Sequence, residues 1–301
     1  MRDPVFEGSG VALVMPFRTD GIDEPVLRDL VRFHLREGTD ALVVNGSTGE
    51  AATMSPAEQR RAVEIVADEV AAGARRIPVV AGVGGSDTAS VSQLAEQARA
   101  AGADALLLAP PPYNKPTQAG IIAHFRGVLD AGDLPLIVYN VPGRTACNVL
   151  PATIAELAGD PRVVGVKEAS GDISQIAELA RLVGEKLAIY SGSDDQIVPL
   201  LALGARGVIS VLANLTPAAT SRMVHAFLQG RTDEARELQL RYLPLVHSLF
   251  REPNPIPVKA AVEMLGFPVG EPRLPLLAAG EGTREELRSA LGDLGIATPF
   301  L

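Results

Sequence analysis

The stretch that decides the fold is VVGVKEAS, residues Val163–Ser170, in which four small or β-branched residues run directly into a lysine. A short apolar run bounded by turn residues is typical of a buried parallel strand, so Lys167 is predicted to lie at the carboxyl end of one. Burial disfavours the ammonium form and lowers the pKa of a lysine. A neutral amine attacks ketones to give Schiff bases, so Lys167 is a candidate nucleophile.

Lysine is scarce in this chain, and that scarcity supports a specific role for Lys167. Only four lysines occur against 23 arginines: Lys115, Lys167, Lys186 and Lys259. Arginine therefore supplies most of the basic surface. The alternative is a strand-end lysine whose ammonium reaches back to water.

Eight apolar runs resemble strands, and they recur roughly every 20 to 37 residues, the rhythm of repeated βα units. They are Val11–Met15, Ala41–Asn45, Val79–Gly82, Ala105–Ala109, Leu136–Asn140, Val163–Lys167, Leu187–Ser191 and Gly207–Val211. Amphipathic segments separate them, and Ser55-Pro56-Ala57-Glu58 is the clearest helix start. Eight such units predict an α/β fold, a (β/α)8 TIM barrel. The alternative, a doubly wound sheet, lacks its glycine-rich opening turn after the first strand.

Past Pro217 the strand-like runs stop and only helical patterns follow. These are Ala218–Gln229, Thr232–Phe250, Ile256–Leu265 and Thr283–Leu291. The sequence therefore predicts a barrel domain over residues 1–230 and a C-terminal helical domain over residues 231–301.

Composition limits the class of protein. The chain has 301 residues and a net charge of −9, which argues against a nucleic-acid partner. No apolar run is long enough to span a bilayer, so no membrane partner is expected. One cysteine, Cys147, excludes an intrachain disulfide and suits a reducing cytoplasm. None of the four histidines has a second ligand at metal spacing, so no metal site is expected.

The chemistry of a barrel lies where its strands end. Those ends supply one amine, two phenols, two adjacent hydroxyls and one guanidinium, from Lys167, Tyr113, Tyr139, Ser47, Thr48 and Arg144. The amine can capture a ketone, hydroxyls can hold a carboxylate, and a phenol can transfer protons. Arginine can bind a second carboxylate through two hydrogen bonds. The set predicts a small keto acid as substrate.

Each of these groups also has a purely structural explanation. Ser47 and Thr48 can cap the next helix, and Tyr139 can be a core tyrosine with a satisfied hydroxyl. Arg144 can be a surface ion-pair partner, and Tyr113 a turn residue held by its prolines. Their convergence on one end of the predicted barrel favours the functional interpretation.

The chain resembles the dihydrodipicolinate synthase family, part of the pyruvate-dependent class I aldolases, over nearly its whole length. Six motifs carry the resemblance: GSTGE (Gly46–Glu50), PYNKP (Pro112–Pro116), YNVPGRT (Tyr139–Thr145), GVKEAS (Gly165–Ser170), GVISV (Gly207–Val211) and EPNPIPVK (Glu252–Lys259). The resemblance implies a (β/α)8 barrel with a C-terminal helical domain, and a homotetramer that is a dimer of tight dimers.

The resemblance also implies catalytic roles. Lys167 matches the lysine that forms the Schiff base with pyruvate, and Tyr139 the residue that donates and accepts protons. Ser47 and Tyr113 match the rest of a proton relay, with Tyr113 reaching in from the neighbouring subunit of the tight dimer. The relay hydroxyl in this family is usually threonine. Ser47 keeps the donor and acceptor but loses the methyl group that restricts its rotamer.

Substrate contacts are implied for four further residues. Thr48, Ile209 and Gly192 match positions that contact the substrate, and Arg144 matches the entrance arginine that binds the semialdehyde carboxylate. The implied reaction condenses pyruvate with L-aspartate 4-semialdehyde in lysine and diaminopimelate biosynthesis. It needs no metal or organic cofactor.

Two other functions stay open from the sequence. One is another pyruvate aldolase, such as a lyase for N-acetylneuraminate or a 2-keto-3-deoxy sugar acid. The other is a keto-acid binding protein without turnover. Arg144 and the segment Glu168–Ser170 favour the synthase, because sialic acid lyases differ at both motifs. The intact Lys167, Tyr139 and Tyr113 disfavour a protein without turnover.

Regulation is the last property on which the resemblance bears. Lysine-sensitive members bind the effector at the tight-dimer interface through a glutamate, an asparagine, histidines and a tyrosine. Motif alignment places different side chains there: Ser90, Ser86, Pro56, Gln59 and Pro112. Desolvated charges need charged or strongly polar partners, so insensitivity to lysine is expected. The alternative is a pocket rebuilt from Glu50 or Glu96.

Overall fold

The protein is described by a computed structural model that covers residues 2–297, so Met1 and residues 298–301 of the predicted domains lie outside the described residues. Within that range the strands are β1 Gly8–Ala12, β2 Phe17–Arg18, β3 Gly21–Ile22, β4 Ala41–Val44, β5 Val79–Val83, β6 Ala105–Leu108, β7 Leu136–Asn140, β8 Val163–Glu168, β9 Ala188–Ser191 and β10 Gly207–Ser210. Apart from the small β2–β3 hairpin, they are parallel and close into one eight-stranded barrel.

Helices alternate with the barrel strands and then continue alone. They are α1 Glu24–Arg36, α2 Pro56–Ala72, α3 Thr88–Ala100, α4 Gln118–Gly132, α5 Pro142–Thr145, α6 Pro151–Leu157, α7 Ile173–Val183, α8 Ile197–Ala202, α9 Pro217–Leu228, α10 Thr232–Leu249, α11 Ile256–Met264 and α12 Glu281–Asp293. The predicted (β/α)8 barrel with a C-terminal helical extension is therefore confirmed.

The predicted helix start at Ser55 is also confirmed. The Ser55 hydroxyl accepts a hydrogen bond from the Glu58 amide at 3.2 Å, and the Glu58 carboxylate accepts one from the Ser55 amide at 2.8 Å. This capping box satisfies two amides that have no partner within the helix. It fixes where α2 begins, and a single 3-10 turn, Ala51–Thr53, separates this start from the turn that carries Ser47 and Thr48.

The first strand was predicted too late, at Val11–Met15 instead of Gly8–Ala12. Its pairing with β10 begins at Gly8 opposite Gly207. A Cβ built on Gly207 would lie 2.0 Å from the Gly8 carbonyl oxygen, so only glycine permits this approach. A search for apolar runs misses such a strand start, because the close backbone contact excludes the side chains that the search counts.

The barrel interior is filled by side chains from alternate strand positions, as the two-residue period of a strand requires. At the amino-terminal end, the buried rings of Phe6 and Tyr190 stack with their centroids 4.4 Å apart. The Tyr190 hydroxyl donates to the Phe6 carbonyl at 2.7 Å. These two rings therefore fill the amino-terminal end of the barrel. The cavity described below opens at the carboxyl ends of the strands.

A bulge in β8 sets the direction of Lys167. The pairing with β7 moves from Leu136–Val163 to Ile137–Gly165, which leaves Val164 as the extra residue. Beyond the bulge Lys167 lies opposite Tyr139, a residue packed against the interior cluster of the barrel. Bulges redirect side chains in this way and are frequent beside active sites.

The C-terminal helices pack onto the barrel helices without a break in the apolar core. Leu249 of α10, Val258 of α11 and Leu291 of α12 belong to the same buried cluster as the barrel helices. The domain boundary at residue 230 stays a prediction. Among the described residues, no helix is both long enough and apolar enough to cross a membrane.

Candidate active site

A cavity of about 300 Å³ opens at the carboxyl ends of the barrel strands. Six of the eight predicted site residues line it: Ser47, Thr48, Tyr139, Arg144, Lys167 and Gly192. They come from the ends of different strands, which meet only because the sheet closes. The fold therefore brings these six predicted residues together in one cavity.

Lys167 lies near the end of β8 and is 5% exposed. Burial lowers its pKa to about 8, the Asp194 carboxylate opposes that shift, and the Arg144 guanidinium adds to it. The Lys167 Nζ lies 4.4 Å from the centroid of the Tyr139 ring. A sizeable fraction of the amine is therefore neutral near pH 8 and available as a nucleophile.

Tyr139 faces the amine from the neighbouring strand. Burial raises the pKa of its phenol, while Arg144 and a hydrogen bond with Ser47 act in the opposite direction. The phenol therefore keeps its proton near neutral pH and can donate it. The neighbouring Ser47 hydroxyl can both donate and accept, so the two groups together offer a path along which a proton can move.

The turn after β4 presents Ser47 and Thr48 to the cavity. The Gly49 amide donates to the Gly46 carbonyl at 3.1 Å, and the Glu50 amide donates to the Ser47 carbonyl at 3.2 Å. The Thr48 hydroxyl oxygen accepts a hydrogen bond from the Asn254 side-chain amide at 2.9 Å. The two hydroxyls are therefore held by a tight turn and by the C-terminal segment.

Gly192 follows β9 and forms the wall beside the amine. A Cβ at this position would lie 2.7 Å from the Ala169 Cβ and 3.0 Å from the Lys167 Cε. The Gly192 amide donates to the Glu168 carbonyl at 2.7 Å. A side chain at position 192 would therefore collide with Ala169 and Lys167, so this position requires glycine.

Arg144 lies on α5, the short helix after β7, and its Nη2 donates to the Asn254 carbonyl at 3.1 Å. It also lines a second, neighbouring cavity of about 640 Å³ that shares Ser47, Tyr139 and Asn254 with the first. Arg144 therefore stands between the amine and the outside, where a second substrate would enter.

Two predicted site residues do not line the cavity within this chain. Tyr113 is 89% exposed and adopts a left-handed backbone conformation with φ of 70°. Ile209 is fully buried in the barrel interior, in the cluster against which Tyr139 packs. The roles predicted for these two residues stay predictions.

Asp194 is a site residue that the sequence reasoning did not single out. Its buried carboxylate accepts hydrogen bonds from the Ser210 hydroxyl at 2.5 Å and from the Val211 and Leu212 amides at 3.0 and 2.9 Å. Burial raises its pKa, and these donors and Lys167 oppose the rise. The sequence did contain a signal for it, because Asp194 is an acid two residues after Gly192, in the turn that follows β9.

Comparison with known proteins agrees with this geometry. The Dihydrodipicolinate synthetase family matches residues 5–294. The chain belongs to this family. The 4-hydroxy-tetrahydrodipicolinate synthase of Caldicellulosiruptor bescii is 52% identical over 294 residues, which cover 97% of this chain and 98% of that protein. The resemblance inferred from the motifs is therefore confirmed.

Solved structures of the family share the fold. Dihydrodipicolinate synthase from Thermotoga maritima superposes with a TM-score of 0.94 at 40% identity, covering 97% of this chain and 99% of that one. The chloride-inhibited enzyme from Acinetobacter baumannii, solved with pyruvate, gives 0.92 at 40% identity, covering 96% and 99%.

Proposed function

We propose that this member of the family is a 4-hydroxy-tetrahydrodipicolinate synthase that condenses pyruvate with L-aspartate 4-semialdehyde in the diaminopimelate and lysine pathway. The observation that carries the proposal is a buried lysine with a lowered pKa, facing a tyrosine and two hydroxyls in one cavity. The names of the full-length relatives support the same activity.

The reaction begins at Lys167. Its neutral amine attacks the ketone carbon of pyruvate, and loss of water gives the imine. Tyr139 supplies and removes the protons that these steps require, and it passes them to Ser47. Thr48 and Ile209 contact the pyruvate portion, and Gly192 is a further substrate-binding position; Ile209 lies in the buried barrel interior.

The imine then loses a methyl proton to become an enamine, which attacks the aldehyde carbon of the semialdehyde. Arg144 binds the carboxylate of this second substrate, as its position toward the outside of the cavity supports. Ring closure by the substrate amine frees Lys167. The reaction requires no cofactor.

We further propose that the enzyme is a homotetramer, a dimer of tight dimers, in which Tyr113 completes the relay of the neighbouring subunit. A tyrosine that is 89% exposed and absent from the cavity of its own chain supports this arrangement. The proposed catalytic domain comprises residues 1–230, and the proposed helical domain comprises residues 231–301. The single, buried cysteine suits a cytoplasmic location.

The experiment is borohydride reduction in the presence of pyruvate, followed by peptide mapping. The adduct is expected on Lys167, and an adduct on Lys115, Lys186 or Lys259 alone would contradict the proposal. A coupled assay with pyruvate and L-aspartate 4-semialdehyde, run beside N-acetylneuraminate cleavage, then tests the second substrate. Turnover is expected in the first assay and none in the second.

A further inference from the structure

A buried ion pair lies behind the turn that carries Ser47 and Thr48. The Lys259 Nζ lies 2.8 Å from the Glu50 Oε1, and both side chains are 1% exposed. The second Glu50 oxygen accepts a hydrogen bond from the Arg273 amide at 2.8 Å, and Lys259 also donates to the Glu271 carbonyl at 3.2 Å. All these partners of Glu50 come from the C-terminal part of the chain.

Glu50 is itself the last residue of the turn. Its backbone amide donates to the Ser47 carbonyl, and it adopts a left-handed conformation with φ of 56°. A non-glycine residue in this region is strained and persists only where its surroundings hold it. The carboxylate of Glu50 is thus an anchor directly attached to the hydroxyl-bearing turn.

Stability alone does not account for such a pair. Removing two charges from water is costly, and well-packed neutral residues at the same positions are often equally stabilising. Burial does lower the pKa of Lys259, and Glu50 opposes that shift. What apolar residues cannot supply is a directional, hydrogen-bonded link between the turn and α11.

We propose that Glu50 and Lys259 are positioning residues, which hold the Ser47–Thr48 turn at the distance from Lys167 that imine formation requires. Asn254 holds the same turn from its other side through the Thr48 hydroxyl. The C-terminal helices thereby fix two of the groups proposed to act on pyruvate. This inference rests on the proposed function and adds to it the residues that orient the hydroxyls.

The test compares four proteins: the wild type, Glu50→Gln, Lys259→Met and the double variant that carries both changes. Two quantities are measured for each: the urea midpoint of unfolding and the pyruvate concentration that gives half-maximal imine, trapped with borohydride. Each single change leaves one buried charge without its counter-charge. Both single variants are therefore expected to lose stability and to need more pyruvate for half-maximal imine.

The double variant separates positioning from stability. Because it removes both charges, its urea midpoint is expected to recover toward the wild-type value. Its half-saturating pyruvate concentration is expected to stay raised by about tenfold, because the link to the turn is still absent. A double variant with wild-type pyruvate saturation would show that the pair serves folding alone. Should it not fold, Lys259→Met alone decides, because methionine cannot donate to Glu50, and wild-type pyruvate saturation in that variant would likewise overturn the proposal.

Glu58→Gln is the matched control. Glu58 forms an ion pair with the same Arg273, at 2.6 Å, but the pair is about a quarter exposed and Glu58 lies outside the turn. This variant is expected to keep wild-type pyruvate saturation, and a rise equal to that of Glu50→Gln would overturn the proposal. Failure of the wild type itself to form an imine would instead contradict the proposed function, so the two failures are distinguishable.

Discussion

The pH dependence of imine formation gives the most direct test of the chemistry assigned to Lys167. With a pKa of about 8, the fraction of neutral amine is about 9% at pH 7 and about 91% at pH 9. The rate at limiting pyruvate is therefore expected to rise about tenfold over this range and then to level off. A lysine with its ordinary pKa of 10.5 would be about 300-fold less neutral at pH 7, and its rate would rise about a hundredfold by pH 9 without a plateau.

The assay mixes the protein with pyruvate at each pH and transfers timed samples into one common alkaline borohydride solution. The reduction step is then identical for every sample, and intact mass reports the modified fraction. A rate that does not change between pH 7 and 9, or that rises a hundredfold without levelling, would refute the lowered pKa.

Two variants are expected to move the pH midpoint of imine formation in opposite directions, because the two charged neighbours of Lys167 act on its pKa with opposite sign. The Asp194 carboxylate stabilises the ammonium, so Asp194→Asn is expected to shift the midpoint to lower pH. The Arg144 guanidinium destabilises the ammonium, so Arg144→Ala is expected to shift it to higher pH. Shifts of the same sign in both variants would mean that a change in burial, and not charge, controls the amine.

Four further predictions follow from the site and from the opposite end of the barrel. Tyr139→Phe should lower turnover by roughly two orders of magnitude in the coupled assay with an unchanged urea midpoint, and near-normal turnover would remove Tyr139 from the relay. Gly192→Ala should reduce pyruvate trapping sharply, since its methyl group would lie 3.0 Å from the Lys167 Cε; unchanged trapping would show that the wall can move. His225→Gln should lose more stability at pH 6 than at pH 9 in urea unfolding. The hydrogen bond with Asp40 raises the pKa of His225 in the folded protein. The stability that His225 contributes is therefore complete below its unfolded pKa of about 6.5 and is lost as pH rises through its folded pKa. An equal loss of stability at both pH values would contradict this. Free L-lysine should leave the steady-state rate unchanged, because Glu50, one residue from which a pocket could be rebuilt, is already paired with Lys259; half-inhibition below millimolar lysine would exclude this.

The regular part of the fold was predictable because each strand carries its own signal. Leu136–Asn140 was predicted at the bounds that it has, and the other apolar runs were displaced by at most a few residues. Closure of eight parallel strands then brings their carboxyl ends together whatever the loops contain. For that reason six of the eight predicted site residues line one cavity, and their roles stay predictions.

The unpredicted features depend on residues that are distant in sequence. The bulge at Val164 arises from the pairing of β8 with β7, and no property of Val164 itself announces it. The partner of Glu50 is Lys259, 209 residues away. In the sequence the glutamate belongs to a turn motif, and nothing local indicates that its carboxylate pairs with a lysine of α11.

The charges around Lys167 explain why the cavity contains both an arginine and a buried carboxylate. In the proposed reaction, burial and the Arg144 guanidinium favour the neutral amine, which is the form that would attack pyruvate. The protonated imine that follows is a buried cation, and it needs a nearby anion. Asp194 supplies one, held by three hydrogen-bond donors that stabilise its ionised form. In the proposed reaction Asp194 therefore opposes the first step, because it stabilises the ammonium, and favours the imine cation. Its removal should speed capture at low pH while shortening the life of the imine.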